Sequence, residues 1–207
     1  MIKILTVERE YGCGGGQIAQ KIADRLGWKL WDQLLTSEIA RLSNCEECEV
    51  ETREERVDPL YYRLFKSVLR GSFEGSLNVR RLQLLDADTI LHRTQRVVEE
   101  AASTGNCVIV GRGSQHFLRH RDDTLRVFLY APRDEKIRRL TADGISKKEA
   151  EEQVDIVDEE RSAFIQKYFQ VEWPNRSIYH AMLNTSVGDE LVIRTILTLK
   201  QSIDGTN

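Results

Sequence analysis

Long apolar runs are missing from this 207-residue chain, and no stretch approaches the length of a membrane span. An excess of either charge is missing too: 30 basic against 33 acidic residues leave a net charge of −3. That balance argues against a duplex nucleic-acid binder or a membrane-surface protein, so an anionic ligand has to be held by local charge. Cysteine is sparse, and the scatter of Cys13, Cys45, Cys48 and Cys107 does not describe a secreted disulfide scaffold. Cys45-Glu46-Glu47-Cys48 has the spacing of half a zinc site or a redox pair, but no second Cys or His pair follows it. Its acidic neighbours raise thiol pKa values, so a pair of exposed free thiols is expected. Met1-Ile2-Lys3-Ile4-Leu5 runs into polar Glu8-Arg9-Glu10 too early for a secretory leader, and the expected location is cytoplasmic. Internal repeats and low-complexity tracts are absent, and His92, His116, His120 and His180 form no usable pattern.

What is present centres on Ile4 to Ala19, which reads as a strand, a glycine-rich turn and the start of a helix. Gly12, Gly14, Gly15 and Gly16 let backbone approach a ligand, and the helix behind them offers unpaired N–H groups to an anion. The loop has no lysine. Ile18, Ala19, Ile22, Ala23 and Leu26 then repeat at helical spacing up to Gly27, and Trp28–Trp31 has the composition of a strand ending at Asp32.

A short helix is expected over 34–42, followed by an acidic segment and an aromatic-rich one containing Tyr61, Tyr62 and Phe65. Residues 44–85 read as an insertion or acceptor-binding subdomain on a single 1–207 domain. A helix is expected over 86–102, then a buried strand Cys107–Val110 leaving through Gly111-Arg112-Gly113, and another strand over Leu125–Tyr130. Helices follow from Arg133 to Asp143 and from Ser146, with a capping-box pattern, towards Phe164; a strand over Ala181–Asn184 and a helix over 188–200 complete the chain. Strands alternating with helices predict an α/β fold, a parallel sheet covered on both faces, with ligands beyond the carboxyl ends of its strands.

A Walker A loop requires a lysine for the β- and γ-phosphates and a hydroxyl for magnesium. Neither register of the loop supplies the lysine. With Gly14 as the second glycine, Gly15 and Gly16 take the lysine and hydroxyl positions; with Gly15 there, Gly16 and Gln17 do.

The order of segments nonetheless resembles the cytidylate kinase-like proteins, relatives of bacterial cytidylate kinases among the P-loop nucleoside monophosphate kinases. The resemblance rests on Arg9-Glu10-Tyr11-Gly12-Cys13-Gly14-Gly15, Cys107 to Gly113, Val127 to Pro132, Val157-Asp158-Glu159-Glu160-Arg161 and Asn184-Thr185-Ser186, and it covers nearly the whole chain. It implies a three-layer P-loop fold with a helical insertion and a lid over 133–170. It also implies ATP and magnesium as cofactors, and a nucleoside monophosphate, CMP first, as acceptor. Arg9, Gly12, Cys13, Gly14, Gly15, Gly16 and Gln17 would hold the donor phosphates. Arg112 would reach the acceptor or transferring phosphoryl group, and Arg161 would lie over it with Asp158 orienting it or touching the acceptor. Arg138 and Arg139 are looser candidates. The chain departs from the pattern at Gly16, where a basic residue is expected, and magnesium would need Glu8, Glu10 or Asp32, or phosphate and water.

Two other readings stay open: a P-loop relative that binds nucleotide without transfer, and a dinucleotide binder, since Gly12-x-Gly14 follows a strand and Asp32 stands where a ribose acid belongs. Asp158 and Arg161 also have the spacing of an ordinary exposed helix ion pair.

Overall fold

The computed structural model describes residues 1–32 and 87–206. The helix expected over 34–42, the insertion over 44–85 and the Cys45–Cys48 pair lie outside the described residues. Strand β1 (Ile4–Arg9) leads through the glycine turn to α1 (Gly15–Leu26) and β2 (Lys29–Trp31). Then come α2 (Ala87–Thr104), β3 (Cys107–Val110), α3 (Ser114–Phe117) and β4 (Thr124–Tyr130). The chain continues through α4 (Arg133–Ala142), α5 (Lys147–Phe169), β5 (Ala181–Asn184) and α6 (Asp189–Thr206).

The described strands form one parallel sheet in the order β2-β3-β1-β4-β5. Because β1 lies between β3 and β4, it is not beside β2, as the first strand of a dinucleotide-binding unit would be. That order removes the dinucleotide-binding alternative.

Strand residues alternate between two cores, as a pleat with period two requires. Ile4, Cys107 and Ile109 face α2 and the end of α5, whereas Leu5, Val7, Val108 and Val110 face α1 and α6. Helices on both faces make three layers. A third, smaller cluster of Ile137, Leu140, Ala150 and Val154 packs α4 and α5 against Tyr11 of the glycine turn. Ser146 caps α5 through its hydroxyl, which accepts from the Glu149 amide. The helix runs past the expected end at Phe164 because Phe164, Ile165, Tyr168 and Phe169 continue its apolar face into the α2 core.

His116 on α3 stacks on Phe169 with ring centroids 4.3 Å apart. Burial, helped by Arg119, pushes its imidazole down to about 4, so it is neutral at pH 7. The unfolded chain therefore binds a proton between pH 6.5 and 4 that the folded one refuses, and stability falls as pH drops through that window. The loss attributable to His116 is on the order of 3 kcal/mol. Urea titrations of wild type and His116→Phe at pH 7 and pH 4.5 check it: the variant's stability should vary less between the two.

Candidate functional site

Parallel pairing aligns the strand ends, so Glu8 and Arg9 lie beside Phe128 and Leu129, and the exits of β1, β3 and β4 share one edge. At the β1 exit, Gly14 takes the left-handed conformation at φ 79° and caps α1. A side chain there would meet the Arg139 guanidinium, so close approach and backbone angle both require glycine. Cys13 turns its thiol into the core, 3.6 Å from the Leu129 carbonyl, and burial pushes it up to about 11. Cys13 is fully buried and does not line the cavity beside the turn, and its carbonyl accepts from the Thr185 hydroxyl at 2.7 Å.

The glycine turn borders a cavity of about 440 Å³ also lined by Gln17, Arg138, Arg139, Arg9 and Arg161. Arg139 is fixed on two sides. Its Nε donates to Glu135 at 2.9 Å, and its Nη2 donates to Asp189 at 2.9 Å and to the Thr185 carbonyl at 3.2 Å.

At the β3 exit, Gly111, Arg112 and Gly113 have φ of 66°, 61° and 69°. A left-handed arginine between two left-handed glycines is uncommon, and such strain concentrates at functional sites. Arg112 is 1% exposed and stands 4.0 Å from Asp32, which is also buried. Burial pushes its guanidinium down to about 10, with Arg9 and Arg161 adding to the shift and Asp32 opposing it. It stays charged at neutral pH. Arg161 is lowered too, by burial and then by Arg9. Arg9, Arg112 and Arg161 together line a small pocket behind the main cavity. These guanidiniums, all buried, therefore act on one another at the sheet edge.

Asp158 and Arg161 are not an exposed pair. Arg161 Nη1 donates to the Arg9 carbonyl at 3.0 Å and to Asp158 at 3.3 Å. The Asp158 carboxylate also accepts from the Tyr11 amide at 2.8 Å and from Lys136 Nζ at 2.9 Å. Lys136, which sequence reading missed, also holds Glu10 at 2.9 Å. Burial alone would lower its pKa, but Asp158 and Glu10 outweigh burial and raise it. No local signal marks Lys136. It is one charged residue in a charged helix, and its importance arises only when α5 and the glycine turn close around it.

The carboxylates considered for magnesium are all engaged. Glu8 accepts from Gln115 at 2.9 Å and from the Arg9 amide at 3.1 Å, Glu10 faces Lys136, and Asp32 lies against Arg112. Among the described residues no group of three or more His, Cys, Asp or Glu is placed to hold a metal ion. No helix among them is long and apolar enough to cross a membrane.

A parallel sheet in this order, with a glycine turn opening a helix at its carboxyl edge, is the arrangement of a three-layer P-loop α/β fold. Solved structures agree on the fold. An uncharacterized protein from Eubacterium ventriosum ATCC 27560 matches with a TM-score of 0.68 at 19% identity, over 98% of this chain and 99% of the other. A shikimate kinase from Acinetobacter baumannii, in complex with shikimate, matches at 0.53 and 17% identity, over 98% and 94%. One from Bacteroides thetaiotaomicron matches at 0.51 and 15%, over 97% and 98%. The sequence matches the model of the cytidylate kinase-like family over residues 4–187, and the chain belongs to that family. A search of curated proteins finds no significant match.

Proposed function

We propose that this protein transfers the γ-phosphoryl group of ATP to the phosphate of a nucleoside monophosphate, with CMP the first acceptor to test. The observation that carries the reading is the convergence of buried Arg9, Arg112 and Arg161 beside the glycine turn. Phosphoryl transfer needs positioning and charge neutralisation more than a protein nucleophile, and planar guanidiniums suit the charge spread over equatorial oxygens.

In the reaction, an acceptor phosphate oxygen bonds to the γ-phosphorus while the bond to the β–γ bridging oxygen breaks, and ADP leaves with that electron pair. The acceptor oxygen arrives already ionised, so no general base is required. This suits the site, where Glu8, Glu10, Asp32 and Asp158 each face a cation or an amide. A hydroxyl acceptor would ask one of them to leave its partner and take a proton. The choice of CMP rests on family membership. The described carboxylates do not build a magnesium seat; a divalent ion that travels with the nucleotide, held by phosphate oxygens and water, fits them better.

The test is ADP release with each common nucleoside monophosphate, in magnesium and in manganese. ADP should appear only when acceptor is present, and no turnover across the panel would sink the proposal. One observation favours a second reading, nucleotide binding without transfer: the loop carries neither lysine nor hydroxyl, and Lys136 is committed to two carboxylates. ATP binding by calorimetry with no ADP release would select it.

A further inference from the structure

We infer that Arg9, from the end of β1, supplies the phosphate-binding cation that the glycine loop lacks; this rests on the function proposed above. Leu5 and Val7 face α1, and the alternation of the strand places Arg9 on that same side, under the first residue of the helix. The contact is tight. A Cβ on Gly15 would stand 2.7 Å from the Arg9 Cβ, and one on Gly111 would land on Arg9 Nη1. Two glycines from different segments thus leave a slot that the Arg9 side chain fills, with its guanidinium carried to the turn that holds Arg112.

What occupies the slot is a buried cation with too few partners. Arg9 is 4% exposed, and its Nη2 has no hydrogen-bond partner among the described residues. Its ion pair, Nη1 to Glu8, is 3.8 Å long, beyond hydrogen-bond reach. Glu8 is occupied elsewhere, by Gln115 and by the Arg9 amide. Arg112 and Arg161 do not relieve it, being cations themselves: Arg9 depresses the pKa of both. Burying a guanidinium this way is unfavourable unless an anion completes it. Arg9 also borders both the loop cavity and the smaller pocket of Arg112 and Arg161. A phosphate chain lying along the α1 N-terminus would bring its terminal phosphoryl group to this wall, so the ligand class is a polyphosphate.

Inorganic tripolyphosphate is the probe, because it carries the phosphate chain without a base. Calorimetry on wild type and Arg9→Met should show affinity falling about 10- to 100-fold, the range for a hydrogen bond to a charged group. Arg9→Lys should recover part of it. Without ligand, Arg9→Met should melt no lower than wild type, since it removes an underpartnered buried charge, whereas loss of a structural arginine would lower the midpoint. Equal tripolyphosphate affinity in wild type and Arg9→Met would overturn the assignment, as would failure of wild type to bind the probe. Binding that depends on Arg9, without ADP release for any acceptor, would sink the proposed reaction and leave the cation's role standing.

Discussion

Arg112→Ala should slow phosphoryl transfer on the order of 10³-fold, within the range seen when an arginine or preorganised donor is taken from a phosphoryl or oxyanion site. Arg112 is buried, remains charged at neutral pH, and sits in a left-handed conformation that is uncommon for a residue other than glycine. Backbone strain of this kind persists only where the surroundings enforce it. Arg112→Lys should recover little, because an ammonium keeps the charge but loses the two-pronged contact with phosphate oxygens. Saturating turnover with ATP and CMP measures the effect, and thermal unfolding confirms that the variant is folded. A turnover number within about threefold of wild type in a folded Arg112→Ala protein would remove Arg112 from the chemistry.

Lys136→Met should cost about 3 kcal/mol of stability, the lower end of the range for removing one partner of a buried ion pair. The lower end applies because Glu10 and Asp158 keep 23% and 16% of their side-chain surface exposed. Without the ammonium, two carboxylates face each other across the junction of the glycine turn, α4 and α5. Glu10→Gln added to Lys136→Met should therefore restore part of the loss. The pH dependence has a definite sign. The folded pKa of Lys136 is raised, so its contribution is present below the ordinary value of 10.5 and is lost as pH rises through the higher folded one. Urea unfolding across that range would show the gap between wild type and variant constant from neutral pH and closing only in strong alkali. A cost below about 0.5 kcal/mol, the size of an ordinary surface substitution, would mean that the contact does not tie α4 to the loop.

Much of the architecture is legible locally. Near-continuous apolar runs in Ile4–Val7 and Cys107–Val110 mark strands buried on both faces, and Ile18, Ala19, Ile22 and Ala23 mark the helix after the turn. The Ser146 cap is equally local, since it depends on neighbours in the chain. The site divides differently. Arg112 and Arg161 come from motifs that sequence order displays, but the state of Asp158 does not. Its spacing to Arg161 suits a solvated pair, and only the fold sets it against Tyr11, 147 positions away, and Lys136.

By itself, then, the sequence determines the strand–turn–helix opening, the alternation of strands and helices, and the absence of a lysine from the loop. These follow from periodicity, turn chemistry and composition, which act over a few residues. Tertiary structure alone decides that β1 lies between β3 and β4, that Lys136 bridges Glu10 and Asp158, and that Arg9 is buried in a slot bounded by Gly15 and Gly111. The reason is physical. Whether a charged side chain ends in water, in an ion pair or in an underpartnered slot depends on which distant segments exclude solvent around it, and no local pattern encodes that.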